Sequence, residues 1–289
     1  MNLNSIKTIG ILGSGTMGAG IAISCITNGY KVVIYDINDE ILGKAGHQIL
    51  KTLNKAVEKN KLTTEAKQDA LDNLDFSSKF IELAKCDFFI EAVPENYEIK
   101  KDIFEKLDAN CSPTAILATN TSSMSVTMIS TFVKNNPSRV VGMHFFNPAN
   151  IMKLVEVIKG DFTTDEVSDI TYNLSKKIGK VPVMAKDTPA FIVNRIARPF
   201  YGEALRMYSE GTADFKTIDK VMKNCGGFAM GPFELMDLIG IDVNFSVTKS
   251  VFDAFFYDSK YRPNFIQKKM VDANLLGRKT DKGFYSYEK

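Results

Sequence analysis

Two spacings in this 289-residue chain carry recognisable chemistry. The first is the run Gly13-Ser14-Gly15-Thr16-Met17-Gly18, with Asp36 following 18 residues past Gly18. In such a run the first glycine allows a tight turn, the second lets the backbone approach a pyrophosphate, and the third lets a helix pack closely on a strand. The helix N-terminus then offers its amides and the positive end of its dipole to the phosphates. An acid at the position of Asp36 accepts hydrogen bonds from ribose hydroxyls and repels a 2′-phosphate, so the pattern predicts a dinucleotide site that prefers NAD to NADP. The second spacing joins His144 to Glu156, twelve residues apart. A nicotinamide enzyme that oxidises an alcohol needs a group to take the hydroxyl proton as hydride leaves the carbon, and the chain has only two histidines. His47 lies within a polar-faced helical stretch and reads as a surface residue. His144 stands at a strand end beside Phe145, Phe146, Asn147 and Pro148, and its type and place alone fit a buried structural histidine as well as a proton carrier. Glu156 falls in the following strand, and a strand-loop-strand path could bring its carboxylate to one ring nitrogen, fixing the tautomer and leaving the other nitrogen to exchange a proton.

The elements that must position these residues alternate regularly. Ile6 to Leu12 is a short β-branched run, Ala19 to Thr27 a helix-compatible one, and Tyr30 to Tyr35 a second strand after the turn at Asn28-Gly29. Asp39 to Asn60 reads as a long helix with Leu42, Ala45, Ile49, Leu53 and Ala56 as its buried stripe. Lys51, Lys55 and Lys59 stand four residues apart on another face, which is either a solvated surface or a grip for phosphates. Strands follow at Asp87 to Val93, Ala115 to Ala118, Val140 to Phe146, Lys153 to Ile158 and Val181 to Ala185, with helices from about Tyr97 to Ala109 and Thr164 to Ile178. Past Asp187-Thr188-Pro189 the pattern turns helical, over Phe191 to Tyr208, Phe215 to Asn224, Phe233 to Ile239 and Val243 to Phe256. The expected fold is therefore α/β: a Rossmann-type dinucleotide-binding domain over residues 1–189, then an all-helical C-terminal domain over 190–289.

Composition narrows the classes. The chain is 45% hydrophobic and 24% charged, and no apolar run approaches the roughly 18 residues a membrane-spanning helix needs. Thirty-six basic residues against 34 acidic ones argue against a protein built to coat nucleic acid, while leaving room for a local basic patch. Cys25, Cys86, Cys111 and Cys225 lie far apart with no CxxC pair, so neither a zinc site nor a disulfide framework is indicated. The first residues do not read as a signal peptide, and a cytoplasmic protein with reduced thiols is expected.

Several motifs, in one order along nearly the whole chain, resemble the L-3-hydroxyacyl-CoA dehydrogenase family. They are the glycine run, Asn120-Thr-Ser-Ser123, His144-Phe-Phe-Asn-Pro148, Met152-Lys-Leu-Val-Glu156, Ala190-Phe-Ile-Val-Asn-Arg195, Met230-Gly-Pro-Phe-Glu-Leu235 and Gly277-Arg-Lys-Thr-Asp-Lys-Gly-Phe284. Within the family the chain looks most like the compact bacterial members that act on 3-hydroxybutyryl-CoA. The resemblance implies reversible NAD-dependent oxidation of an (S)-3-hydroxyacyl-CoA, with His144 as acid and base and Glu156 as its orienting partner. It implies that Ser123 and Asn194 align the substrate oxygen with the histidine, Asn194 from the helical domain as the two domains close. On the cofactor side it points to the glycine run, Asp36, Glu95, Lys100, Asn120, Ser123 and Asn147, with Lys279 from the C-terminal segment. It assigns Lys55 and Lys59 to the phosphates of coenzyme A, and it implies a homodimer formed through the helical domain.

Two residues depart from the family pattern. Asn150 stands where a proline is more frequent, and Ala190 replaces a common glycine. Neither removes a reacting group, so they bear on chain-length preference and hinge behaviour. Two other readings remain: a related dehydrogenase acting on a free 3-hydroxy acid, and a catalytically idle NAD-binding relative.

Overall fold

Short apolar runs form the strands of the first half of the chain, and apolar residues recurring every three or four positions form its helices. A computed structural model describes residues 2–287, and the chain divides between Thr188 and Pro189 into two compact units. In chain order the first unit contains β1 (Thr8–Leu12), α1 (Thr16–Ile26), β2 (Lys31–Tyr35), α2 (Asp39–Glu58), α3 (Thr64–Asp72), β3 (Leu74–Ser77) and β4 (Phe88–Glu91). It continues with α4 (Tyr97–Asn110), β5 (Ile116–Thr119), α5 (Val126–Ser130), β6 (Val140–Phe145), β7 (Leu154–Lys159), α6 (Asp165–Lys177) and β8 (Val181–Lys186).

The eight strands form one sheet in the order β3-β2-β1-β4-β5-β6-β7-β8. Every adjacent pair is parallel except β6 and β7, which run antiparallel. The order reverses between β1 and β4, so a crevice opens there beyond the carboxyl ends of the strands, where ligands bind in such sheets. Strands covered by helices on both faces should be apolar throughout, and β4, β5 and β6 are buried at every residue. Ile9, Ile11, Ile34, Phe88, Ile90, Val141 and Val155 join Ile21 and Leu53 in one core.

Element boundaries follow local chemistry. Asn38 caps α2 by accepting the Ile41 N–H, and Asn96 caps α4 by accepting that of Ile99. Helix α2 ends at Glu58, two residues before the end expected from its periodicity, so Lys59 is the capping residue and Lys55 lies in the last turn. Three first-unit elements are not anticipated by the pattern: α3, β3 and the short helix α5. Helix α3 carries only Ala70 as a buried residue, and β3 (LDFS) is a short edge strand without alternation.

The second unit is helical: α7 (Val193–Ser209), α8 (Phe215–Asn224), α9 (Pro232–Ile239), α10 (Ile241–Ala254) and α11 (Phe265–Asp272), the last also not anticipated. Its core gathers Tyr201, Leu205, Ile218, Phe233, Met236, Ile241 and Met270. Two buried acids fasten its C-terminal segment. Asp237 accepts the N–H groups of Phe284 and Tyr285 at 3.0 and 2.9 Å and the hydroxyl of Tyr287 at 3.1 Å. Asp219 accepts the N–H groups of Phe233 and Glu234 and the hydroxyl of Tyr285, each at 2.9 Å. The approach is so close that a Cβ added at Gly283 would sit 2.1 Å from Oδ1 of Asp237. Burial pushes both carboxyls above their usual range, and the donated hydrogen bonds oppose that rise. Asp237→Ala leaves two backbone donors and a phenol unpaired inside the unit, and it should destabilise the protein by about 2 kcal/mol. Urea unfolding checks this, and a change under about 0.5 kcal/mol would mean that the acid is not what holds the segment.

Candidate active site

The turn after β1 builds the nucleotide end. Gly15 is the N-cap of α1, and no side chain bonds the amides of the first turn, to which Thr16 and Met17 belong. A Cβ added at Gly18 would lie 1.9 Å from the carbonyl oxygen of Gly13, so helix and turn can pack this way only with glycine there. At exposed Gly15 the same test meets nothing within 4 Å, and a side chain would fill the approach to the helix N-terminus. The glycine run therefore forms a cradle of backbone amides suited to a pyrophosphate. Asp36, at the end of β2, is aimed by that turn: Oδ2 accepts the amide and hydroxyl of Ser14, both at 2.7 Å, and Oδ1 accepts the Ile37 amide at 2.8 Å. A carboxylate has about four acceptor sites, so one remains on Oδ1 for a ribose hydroxyl. These residues fit NAD, and its nicotinamide would supply the hydride acceptor for the chemistry at the strand ends.

Beyond β4 and β5 lies a network of charged groups. Glu91 is fully buried at the end of β4; it accepts from Lys100 Nζ at 2.6 Å, from the Thr119 hydroxyl at 2.6 Å and from the Val93 amide at 2.9 Å. Lys100, 1% exposed, also reaches Oε2 of Glu95 at 3.2 Å. The other oxygen of Glu95 accepts the Thr121 hydroxyl, the Ser122 and Ser123 amides at 3.0 and 3.2 Å, and the Ser123 hydroxyl at 3.0 Å. Burial of Glu95 opposes its ionisation, yet Lys100 and the hydrogen bonds from Thr121, Lys100 and Ser123 outweigh burial and hold its carboxyl below the usual range. For Glu91 burial wins and the carboxyl is raised, against the opposing pull of Lys100.

The sequence reading sets Lys100 beside the nicotinamide half. Its ammonium lies between the carboxylates of Glu91 and Glu95, a place from which it holds Glu95 toward the Ser123 loop. Asn120 also acts on the protein: its side-chain oxygen accepts the Phe145 amide at 2.8 Å and ties the end of β5 to β6, leaving its NH₂ to meet a ligand. Glu91 and Thr119 have no role in the sequence reading. The available signal was an acid inside the apolar run Phe88–Glu91, since a charge is buried in a strand only where partners meet it.

The reacting pair lies one strand further on. Because β7 runs against β6, Glu156 sits directly across from His144, and residues paired in this way share one face of the sheet. Nδ1 of His144 lies 2.7 Å from Oε2 of Glu156, with the carboxylate wholly buried. An ionised carboxylate only accepts, so Nδ1 carries the hydrogen and Nε2 is the basic nitrogen of the neutral ring. Phe146 packs against the imidazole with ring centroids 4.6 Å apart, and Asn147 follows, exposed.

The remaining expected residues belong to other elements. Lys55 and Lys59 are exposed at the end of α2, and neither has an ion-pair partner among the described residues. Asn194 opens α7 in the second unit. Lys279, also in the second unit, pairs with Asp242 at 2.6 Å. Among the described residues no cluster of three or more His, Cys, Asp or Glu side chains could hold a metal ion.

A doubly wound sheet with an amide cradle, an acid at the end of β2 and an imidazole–carboxylate pair at its strand ends defines an NAD-dependent oxidoreductase. The comparisons with known proteins give the family. Residues 8–188 match the 3-hydroxyacyl-CoA dehydrogenase NAD-binding domain, and residues 191–287 match the C-terminal domain of the same family. The chain is 42% identical over 281 residues to 3-hydroxybutyryl-CoA dehydrogenase of Clostridioides difficile, covering 97% of this chain and 99% of that one. It is 45% identical over 283 residues to 3-hydroxyadipyl-CoA dehydrogenase of Escherichia coli K12, covering 98% of this chain but 59% of that longer protein. The solved structure of (S)-3-hydroxybutyryl-CoA dehydrogenase from Ralstonia eutropha superposes with a TM-score of 0.94 at 40% identity, covering 99% of this chain and 100% of that one. This chain belongs to the 3-hydroxyacyl-CoA dehydrogenase family, and NAD is its cofactor.

Glu91→Gln keeps the shape of the buried side chain and removes the charge that faces Lys100. Breaking one partner of a buried ion pair should cost on the order of 3 kcal/mol of stability. Thermal unfolding of variant and parent measures the loss, and equal midpoints would show that Glu91 does not carry the lysine's charge.

Proposed function

We propose that the protein interconverts (S)-3-hydroxyacyl-CoA and 3-oxoacyl-CoA with NAD, four-carbon 3-hydroxybutyryl-CoA and acetoacetyl-CoA being its first substrates. The observation that carries this reading is the His144–Glu156 pair at the end of β6, one strand from the Ser123 loop. In the oxidative direction Nε2 of His144 takes the proton of the 3-hydroxyl, and in the reductive direction it returns one. Glu156 keeps the ring in its Nδ1–H tautomer and stabilises the imidazolium as it forms. The Ser123 hydroxyl, whose one hydrogen goes to Glu95 in this structure, turns that hydrogen to the same substrate oxygen. Asn194 and Lys279, carried by the second domain, keep the roles that the family resemblance gives them. The relatives named for 3-hydroxybutyryl-CoA support the four-carbon choice.

The same reading places coenzyme A phosphates at Lys55 and Lys59, two exposed cations one turn apart. It makes the active form a homodimer joined through the helical domain, which is supported by large apolar side chains exposed on that domain, among them Ile196, Val221 and Phe265. A reducing compartment such as the cytoplasm suits Cys25, Cys86, Cys111 and Cys225, all free thiols. No described helix is long and apolar enough to cross a membrane.

The deciding assay follows NADH oxidation with acetoacetyl-CoA and, separately, with free acetoacetate. Turnover of the thioester alone is expected, and a preference for the free acid would replace this reading. In the same assay His144→Gln should bind NADH as the parent does and lose on the order of 10²-fold or more in kcat, the scale of a positioned acid-base group. Parental turnover in the variant would remove His144 from the chemistry.

The lysine pair makes a separate prediction. Lys55→Ala combined with Lys59→Ala should raise KM for acetoacetyl-CoA several-fold at about 0.01 M ionic strength, where the Debye length is about 30 Å. The difference should shrink at about 0.3 M because salt already screens exposed charges. A KM that stays at the parental value at both salts would make the stripe an ordinary solvated face.

A further inference from the structure

One buried cation has no part in the machinery above. Lys180, 7% exposed, lies just before β8, and no carboxylate stands within ion-pair distance of it among the described residues. Its ammonium donates to two carbonyl oxygens, those of Ala149 and, at 3.1 Å, Met152. Both belong to the turn that leaves the His144 strand. An ammonium taken out of water without a counter-ion is unfavourable unless acceptors replace its hydration, and here the turn itself provides them.

The turn is held from two further sides. The Pro148 carbonyl accepts the amides of Ile151 and Met152 at 3.0 and 2.9 Å, closing the loop on itself. Helix α1 presses on it from the nucleotide side: a Cβ added at Gly20 would lie 3.1 Å from that of Ala149, and the Ser24 hydroxyl reaches the Ala149 carbonyl at 3.4 Å. Ala149 is thereby buried, whereas Asn147, Ile151 and Met152 stay exposed on the outer side of the turn.

We infer that Lys180 is a positioning residue for the reaction: its ammonium clamps the Asn147–Met152 turn against α1 and so sets where Asn147 and the apolar tip Ile151–Met152 stand beside His144. The clamp requires the ammonium as well as the length of the side chain, because two carbonyls converge on its one nitrogen and a methionine there donates to neither. Burial, with Lys153 nearby, draws the lysine below its ordinary pKa, while Cys25 on α1 opposes that fall. The reaction side of the inference rests on the proposed dehydrogenase activity; the clamp itself does not.

The test compares the parent with Lys180→Met and Lys180→Arg by two measurements. In hydrogen exchange, Lys180→Met should speed exchange of the Ile151 and Met152 amides by about tenfold or more and leave the amides of β1 and β4 at the parental rate. In the acetoacetyl-CoA assay, kcat should fall about tenfold or more while the Kd for NADH, read by its fluorescence, stays within about threefold, since the glycine run and Asp36 keep their places and only Asn147 shifts on the cofactor side. Lys180→Arg keeps the charge and should recover most of both losses. If Lys180→Met does not fold, Lys180→Gln, which retains a neutral donor, carries the same comparison. Unchanged exchange at Ile151 and Met152, or kcat within twofold of the parent in the folded neutral variant, overturns the inference. A parent inactive on acetoacetyl-CoA would reject the proposed function instead, and the exchange contrast would still decide the clamp.

Discussion

The reversal of β7 against β6 is the constraint on which the candidate active site depends. In an all-parallel sheet a strand returns to its neighbour through a long crossover, and the residue beside His144 would come from an element arriving in the same direction. The antiparallel return needs only the short turn after Phe145, and it brings Glu156 directly across from the histidine on the same face. The 2.7 Å contact is therefore set by backbone register and not by a flexible side chain searching for its partner. Imidazole orientation, tautomer and basic nitrogen all follow from that register.

The reversal also leaves a consequence behind it. A crossover helix would have sealed the end of β6, whereas a short turn presents its carbonyls to the interior, where each needs a donor. Asn120 meets the amide of Phe145 from one side and Lys180 meets two carbonyls of the turn from the other. At the neighbouring strand ends Glu91, Lys100 and Glu95 solve a similar problem with charges, transmitting the buried position of Glu91 outward to Ser123. The site is thus supported by polar groups beneath its surface, and each is costly to bury unless its partners stand in place.

What could be read from the residues divides along the same line. The glycine run, Asp36, the alternating strands and the helical second half were legible because each is a local pattern with a period or a fixed spacing. The pairing of His144 with Glu156 was legible as a path between two consecutive strands. Glu91, Thr119 and Lys180 were not, because their partners lie in other elements: Glu91 meets Lys100 from α4 and Thr119 from β5, and Lys180 meets a turn 28 to 31 residues away. Strand β3 and helix α3 escaped for a different reason, being short, mostly polar elements with little buried surface to impose a period.

The substitution of Ala190 for a common family glycine gains a physical meaning from the backbone. Ala190 and Phe191 both take left-handed conformations, with φ of 65° and 50°. Each such residue other than glycine costs of order 1–3 kcal/mol and persists only where its surroundings over-determine it. Here Ala190 is buried with Val251 and Tyr261, Phe191 is buried as well, and the Ala190 carbonyl accepts the Arg195 amide at 3.2 Å. Glycine at this point would pass readily between several backbone regions, whereas alanine is confined to fewer. The first residues after the boundary are therefore held in shape by packing within the helical unit, and the lead into Asn194 is stiffer than a glycine would make it.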